Sequence, residues 1–216
     1  MIVKTDKSRI EPRLVARPAP TVILASSSAI RAQILAAAGV VAEILSPKVD
    51  ERPTKTRLVA NRSSADKVAT ELAELKALAI SKQHPEALVI GADQVLDCDG
   101  KLFDKPVDRD VARRQLRELR GKRHRLTSAV ALATHGAVIW RHAESATLSM
   151  RVFSDTFLDA YLVLATEAIL GSLGAYQLEG LGAQLFTKVE GDYFTVLGLP
   201  LLPLLDQLRR AGALPS

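Results

Sequence analysis

An apolar run from Ala87 to Ile90 leads through Gly91 and Ala92 to an acidic residue, Asp93, and then to Gln94. An apolar run that glycine ends predicts a buried strand, and ligands of α/β sheets bind at the carboxyl ends of strands. A buried carboxylate is costly unless it is paired or takes part in chemistry. The segment therefore predicts that Asp93 belongs to a functional site.

The residues that follow predict a hairpin that brings a cation to the same place. Asp99-Gly100 is a strong signal for a two-residue turn, and pairing outward from it places Gln94 opposite Lys105. We therefore expect Lys105 to lie beside Asp93 and Gln94. The alternative is a surface hairpin with an incidental salt bridge, which would contribute little to stability.

A second candidate site follows the short apolar strand predicted for residues 21–25. Ser26, Ser27 and Ser28 precede a predicted helix, where hydroxyls and free backbone N–H groups can bind an anion. Arg31, in the first turn, has the planar guanidinium that suits a phosphate. Ordinary capping of the helix by serine explains the same pattern. The chain has neither a Walker A nor a G-x-G-x-x-G pattern, so a P-loop or a dinucleotide cofactor is unsupported.

The composition suits one domain or a compact pair of lobes. The chain has 216 residues, of which 48% are hydrophobic, and no apolar run approaches the ~18–20 residues that would span a bilayer. Residues 1–20 are polar and lack the apolar core of a secretory signal, so we expect a loose N-terminal extension. The single cysteine, Cys98, fits a reducing cytoplasm. The four histidines show no metal-ligand spacing.

Predicted strands and helices alternate along the chain, and at least one pair of strands is antiparallel. We therefore expect an α/β fold with a mixed β-sheet flanked by helices. Residues 47–61 are predicted to form a loop that contains Glu51, and residues 191–198 are predicted to form a loop before the final helix. A long helix is predicted from Ser63 or Ser64 to about residue 82, with Lys76 one turn beyond Leu72 at the edge of its buried face.

The chain is basic, with a formal net charge of +5 and a pI near 9.5. The positive charge is concentrated between Arg109 and Arg125. This segment is typical of a solvated helix face followed by an edge strand. A nucleic-acid surface is the alternative, although the segment has no interleaved aromatic residues on which bases could stack.

Four motifs together resemble those of the Maf family of nucleoside triphosphate pyrophosphatases, and the resemblance runs from about residue 21 to 212. Leu24-Ala-Ser-Ser-Ser-Ala-Ile-Arg31 resembles the family's opening motif, Leu-Ala-Ser-x-Ser-Pro-Arg-Arg. Gly91-Ala-Asp-Gln-Val with Lys105-Pro106 resembles its central motif. Gly174-Ala-Tyr-Gln-Leu-Glu-Gly180, with the segment from Gly191 to Pro200, resembles its last two.

The resemblance implies a cytoplasmic enzyme with an elongated, two-lobed α/β domain, often a homodimer. Such enzymes split a nucleoside triphosphate into the monophosphate and diphosphate with Mg²⁺ or Mn²⁺, and they act on non-standard or surplus nucleotides. Carried over by motif, the site residues are the catalytic acid Asp93, the basic residues Lys76 and Lys105, the phosphate-contacting residues Ser26 and Arg31, and the acidic residue Glu51. Ser28, at the start of the same predicted helix, is expected to bind substrate with them. No stable nucleic-acid partner and no membrane association are expected.

These residues support a hydrolysis mechanism and a hypothesis about the substrate. A carboxylate beside an ammonium is a weak base, and a divalent ion that Glu51 helps to hold would let Asp93 activate or orient water. Ile30 stands where the family's opening motif has the first of two arginines, and Glu179 stands where many members have glutamine. Gln94 is the residue found at this position in members that resemble 7-methyl-GTP pyrophosphatases. These differences can indicate an enzyme selective for 7-methyl-GTP, or they can be neutral changes at the rim of the pocket. For the chain as a whole, a non-enzymatic nucleic-acid-binding module is the alternative function.

Overall fold

The computed structural model describes residues 19–215, so nearly all of the predicted extension at residues 1–20 lies outside the described part. Seven strands form one mixed sheet with helices on both faces, which confirms the predicted α/β class. The strands are β1 Val22–Ala25, β2 Glu43–Leu45, β3 Leu88–Cys98, β4 Lys101–Phe103, β5 Arg123–Thr134, β6 Ala137–Met150 and β7 Phe186–Glu190. The helices are α1 Ala29–Ala37, α2 Arg52–Ala60, α3 Ala65–Ser81, α4 Arg109–Leu119, α5 Asp155–Leu164, α6 Tyr193–Val196 and α7 Leu201–Arg210.

The central strand β3 has a gap along one of its edges. The sheet order is β2-β1-β3-β5-β6-β7, with β4 also paired to β3. On one edge, β3 pairs with β1 up to Gly91 and with β4 from Leu96 onward, whereas β5 pairs along the whole opposite edge. Residues 92–95 therefore have no strand neighbour on that first edge, and they include Asp93 and Gln94. The gap lies where β1 ends, so backbone and side chains there are free to face a ligand.

Close packing of α3 against β3 places a lysine of the helix beside this gap. Ala73 and Ala77, both fully buried, face Gly91 of the strand. A Cβ atom on Gly91 would lie 2.2 Å from the Ala73 carbonyl oxygen, so only glycine permits this approach. Lys76 lies on the same stretch of α3, and its side chain is brought to the level of Asp93.

The buried side chains form three clusters around the sheet. One lies between the sheet and α3, and a second lies on the opposite face beneath α1 and α7. The third surrounds the far end of β3, β5 and β6 and includes α4, α5 and the 3-10 turns between residues 167 and 185. Alternation along β3 puts Asp93 on the α3 face and Ala92 on the α1 face. No helix within residues 19–215 has the length and apolarity needed to cross a membrane.

The structure differs from the predicted elements at three places that matter for the site. Residues 52–60, which were predicted to be part of a loop, form helix α2, with Pro53 in its first turn. The turn at Asp99-Gly100 pairs Leu96 with Phe103 as expected, but β4 ends at Phe103. Gln94 is therefore not paired with Lys105, and its register partner is Ser128 of β5. A short helix, α6, forms in the segment that was predicted to be a loop after β7.

Candidate active site

A cleft of about 520 Å³ opens at the gap in β3. Its walls come from the start of α1, from α2 and α3, from the residues after β4, and from the turns between Gly171 and Glu179. All nine residues that the sequence predicted for the site line this cleft: Ser26, Ser28, Arg31, Glu51, Lys76, Asp93, Gln94, Lys105 and Glu179. The structure thus brings together side chains from six separate segments of the chain.

Lys76 joins two carboxylates at the floor of the cleft. Its Nζ lies 2.5 Å from Asp93 Oδ1 and 3.1 Å from Glu51 Oε1. The side chains of Lys76 and Asp93 are each 11% exposed, so this charge-assisted bond is largely shielded from water. Asp93 Oδ2 accepts no hydrogen bond from the described residues, which leaves that oxygen free to accept one from water or substrate.

Lys105 lies in the same cleft but does not take the place that the hairpin pairing predicted. The direct partner of Asp93 is Lys76, and Lys105 forms no ion pair within residues 19–215. Burial lowers the pKa of Lys105 from its usual value, and the nearby charges of Arg31 and Lys76 lower it further. An ammonium that lies near two other cations is well placed to bind a polyanion.

Arg31 is a buried cation that joins three of the sequence motifs. Its Nε donates to the Gly198 carbonyl at 2.8 Å, and its Nη1 donates to the Ala92 carbonyl at 2.9 Å and to Ser26 Oγ at 3.3 Å. Arg31 is only 9% exposed and has no carboxylate within ion-pair distance among the described residues. Burial lowers the pKa of Arg31, against the opposing effect of Asp93 and Glu51, yet a guanidinium stays charged in proteins. Its positive charge is therefore available to phosphate.

The serines at the start of α1 combine capping with exposure to the cleft. Ser28 is the N-cap, and its Oγ accepts from the Arg31 backbone N–H at 3.5 Å. Ser26 Oγ accepts from the Ser28 N–H at 3.2 Å. The capping interpretation is thus confirmed for Ser28. Because both residues also line the cleft, the hydroxyls and the helix N-terminus still face the space that phosphates would fill.

Gln94 and Glu179 occupy different depths of the cleft. Gln94 is half-buried, and its Nε2 donates to Ser128 Oγ at 3.0 Å and to the Val196 carbonyl at 2.9 Å. Its Oε1 accepts no hydrogen bond from the described residues. Glu179 is exposed at the cleft rim, on the turn that Tyr176 anchors. Both residues thus offer acceptor oxygens to whatever enters.

The structure adds a residue that sequence reasoning missed. Lys55, on α2 one turn after Glu51, lines the cleft and pairs across its mouth with Asp104. It was missed because residues 47–61 were predicted to be a loop, which gives no spacing from which to place a side chain. Pro53 could have indicated that a helix begins here, because proline is common in the first turn of a helix.

The acidic residues can hold a divalent ion only with help from a ligand. No three histidine, cysteine or carboxylate side chains converge on one point within residues 19–215. Glu51 and Asp93, however, both reach the same lysine nitrogen. Mg²⁺ in phosphate-handling sites is bound by one or two carboxylates together with waters and substrate phosphates. The donor set therefore fits an ion that arrives with, or is completed by, a triphosphate.

The basic segment from Arg109 to Arg125 is largely neutralised by ion pairs. Arg117 and Arg120 both bind Asp155 at the start of α5, and Asp155 has a lowered pKa because Arg120 and Arg117 donate hydrogen bonds to it. The further pairs are Arg109–Glu167, Arg113–Asp159, Lys122–Asp99 and Arg123–Glu190. These ion pairs favour a solvated surface over a nucleic-acid-binding surface for this segment.

Comparison with known proteins agrees with the motifs. A family model described as Maf-like protein matches residues 21–211. A nucleoside triphosphate pyrophosphatase of Paramagnetospirillum magneticum is 55% identical over 192 residues, which cover 89% of this chain and 99% of that protein. One of Caulobacter vibrioides is 53% identical over 193 residues, which cover 89% and 96%. A 7-methyl-GTP pyrophosphatase of Rhizobium meliloti is 45% identical over 197 residues, which cover 91% and 99%.

Proposed function

Because the chain belongs to the Maf family, we propose that it is a nucleoside triphosphate pyrophosphatase, which hydrolyses a nucleoside triphosphate to the monophosphate and diphosphate. The observation that carries this proposal is the convergence of Arg31, Lys76 and Lys105 around one buried carboxylate, Asp93. Three cations match a polyanionic chain of phosphates, and one carboxylate oxygen is left to act on water.

Each group has a distinct proposed role. Arg31 and the N-terminus of α1 bind phosphate oxygens, and Lys105 neutralises the charge that develops on the departing diphosphate. Asp93 orients the attacking water through Oδ2 and takes its proton. Lys76 fixes the orientation of the Asp93 carboxylate by its bond to Oδ1. A magnesium or manganese ion held by Glu51 and Asp93 would neutralise phosphate charge and acidify water.

The biological role we propose is the removal of non-standard or surplus nucleotides. Dimerisation and a cytoplasmic location, which the resemblance implies, stay predictions.

Release of diphosphate in the presence of Mg²⁺ tests the activity, and Asp93→Asn tests the role of the carboxylate. We expect turnover to fall at least about 100-fold in this variant, which is the usual contribution of a general base. Asp97→Asn is the matched control, because Asp97 lies four residues further along β3 and outside the cleft. Near-normal turnover of Asp93→Asn, with the fold intact by circular dichroism, would refute the assignment.

A second candidate function is selectivity for 7-methyl-GTP. The observation that favours it is that Gln94 Oε1 and the Glu179 carboxylate both line the cleft and accept no hydrogen bond from residues 19–215. Guanine offers adjacent N–H donors, and a carboxylate would favour the cationic 7-methylguanine base. Measuring the turnover of dTTP, UTP, GTP and 7-methyl-GTP tests this selectivity. A preference for dTTP and UTP would exclude it.

A further inference from the structure

Three polar side chains form a row across one face of the sheet. Gln94 of β3 is paired in register with Ser128 of β5, and Ser128 is paired with Glu144 of β6. Directly paired residues share a face, so the three side chains lie side by side. Helix α6 covers this row, and its Thr195, like Ser128, is fully buried. A buried polar row of this kind is stable only if its members satisfy one another.

Helix α6 is tied to the row through two groups of one residue, the hydroxyl and the carbonyl of Thr195. Thr195 Oγ1 donates to Glu144 Oε2 at 3.0 Å, which joins the helix to β6. Ser128 Oγ donates to the Thr195 carbonyl at 2.7 Å, which joins it to β5. Within the helix, the Thr195 N–H donates to the N-cap residue Asp192 at 2.7 Å. These bonds hold the four-residue helix in one place, although it is too short to be stable alone.

The position of α6 dictates how Gln94 presents its amide. Gln94 Nε2 lies 3.1 Å from the Thr195 carbonyl and 2.9 Å from the Val196 carbonyl. Only the NH₂ group can face two carbonyl oxygens, so the amide cannot be turned the other way. Oε1 is therefore the atom that remains for the cleft, and Gln94 offers an acceptor to the ligand.

The same segment also holds the buried arginine. Just after α6, the Gly198 carbonyl accepts from Arg31 Nε at 2.8 Å. Gly198 has a φ of +97°, which permits the turn that aims this carbonyl at Arg31. A Cβ atom on Gly198 would lie 3.3 Å from Arg31 Nη2 and 3.6 Å from Gln94 Oε1. The carbonyls of residues 195–198 thus orient two side chains that face the cleft.

We propose that Thr195 and Glu144 are positioning residues that set both nucleotide affinity and base discrimination, through Arg31 and Gln94. The inference rests on the proposed function, because it assumes that the ligand in the cleft is a nucleotide. Neither residue lines the cleft. Their effect is transmitted by the placement of α6 and of the turn at Gly198 that follows it, because the carbonyls of α6 fix Gln94 and the Gly198 carbonyl fixes Arg31.

The test compares Thr195→Val, which has the same shape without the hydroxyl, with Thr195→Ser, which keeps the hydroxyl. Binding of the α,β-methylene analogues of GTP and UTP is measured by calorimetry, so the readout does not depend on hydrolysis. We expect Thr195→Val to weaken binding about tenfold and to change the ratio of GTP-analogue to UTP-analogue affinity at least about threefold. Thr195→Ser should stay within about twofold of the unaltered protein.

A double-mutant cycle shows whether the effect passes through Gln94. In a Gln94→Leu background, Thr195→Val should no longer change the affinity ratio, although it should still weaken binding through Arg31. If Thr195→Val fails to fold, Glu144→Leu and Glu144→Gln form the second pair, because glutamine keeps an acceptor oxygen for the Thr195 hydroxyl. A ratio effect that persists without Gln94, or unchanged affinities in folded variants, overturns the inference. Absence of diphosphate release by the unaltered protein, with analogue binding as described, overturns only the proposed function.

Discussion

Replacing Lys76 by methionine removes the cation that joins the two carboxylates of the cleft. Methionine keeps the length and the apolar stem of the side chain, so packing against α3 and β3 is largely preserved. Asp93, whose side chain is 11% exposed, would then carry an unpaired charge, and Glu51, 40% exposed, would lie near it. The variant should fold but be clearly less stable.

The distances give the size of the effect. Removal of one partner from a buried ion pair costs about 3–5 kcal/mol. The two carboxylate oxygens lie 2.5 Å and 3.1 Å from the same Lys76 nitrogen, so they are at most 5.6 Å apart. Their repulsion is about 3 kcal/mol at an effective dielectric constant of about 20, and exposure of Glu51 reduces it to about 1 kcal/mol. Relief of the lysine's own desolvation offsets part of this repulsion, so we expect a net loss of about 3–5 kcal/mol.

Urea unfolding measures this loss, which corresponds to a decrease of about 6–20 °C in melting temperature for a chain of this size. Lys67→Met is the matched control, since Lys67 lies on the same helix but is 60% exposed, and we expect it to change stability by less than about 0.5 kcal/mol. The double variant Lys76→Met/Asp93→Asn should recover much of the loss. A loss below about 1 kcal/mol for Lys76→Met, or simple additivity in the double variant, would refute the reasoning.

The remaining predictions concern pH. Because the pKa of Lys105 is lowered, this lysine should lose its positive charge, and KM for the nucleotide should rise, at a lower pH than for an ordinary lysine. In Lys105→Arg the side chain stays charged, so the rise in KM should move to higher pH. Burial lowers the pKa of His124 to about 4, below its unfolded value of about 6.5, so the stability that neutral His124 contributes is present above pH 6.5 and is lost as pH falls towards 4. His124→Gln, which can keep the bond to Tyr176 Oη, should remove up to about 3 kcal/mol of that dependence, measured by urea unfolding between pH 4 and 7.

The location of the site on β3 was the part that the sequence could predict. An apolar run followed by Gly91 defines a buried strand, but β3 continues to Cys98, so Asp93 and Gln94 lie beside the carboxyl end of the neighbouring strand β1 and not at the end of β3. Pairing outward from the turn at Asp99-Gly100 is correct as far as Leu96 and Phe103. These are local signals, because the identity of a few consecutive residues decides each of them.

The partner of Asp93 could not be predicted in the same way. Extending the hairpin pairing gave Lys105, but β4 ends at Phe103 and the direct partner is Lys76 of α3. The choice depends on how closely α3 approaches the sheet, and that distance is set by Gly91 against Ala73 and not by strand register. Apolar periodicity in α3 shows which face of the helix is buried, but it does not show which residue of the strand each helix side chain contacts.

Helix α2 was missed for a related reason. Its residues have weak amphipathic periodicity, and Leu58 is its one buried residue. The helix is stabilised by contact with α3 and not by an apolar stripe of its own, so hydrophobic spacing could not reveal it. Because the helix was not predicted, Lys55 was not predicted to be a site residue either, since the direction of a side chain in a loop cannot be read from sequence spacing.

Gln94 shows how the structure narrows a chemical hypothesis that the sequence left broad. From the sequence, its amide could have offered either a donor or an acceptor to a base. Because Nε2 faces the carbonyls of Thr195 and Val196, the donor is already engaged and only Oε1 remains. An acceptor beside the buried guanidinium of Arg31, with the Glu179 carboxylate at the rim, fits the ligand that we propose, which combines anionic phosphates with N–H donors on its base. The determinant of that preference lies in α6 as much as in the cleft, since these carbonyls decide which atom of Gln94 the ligand meets.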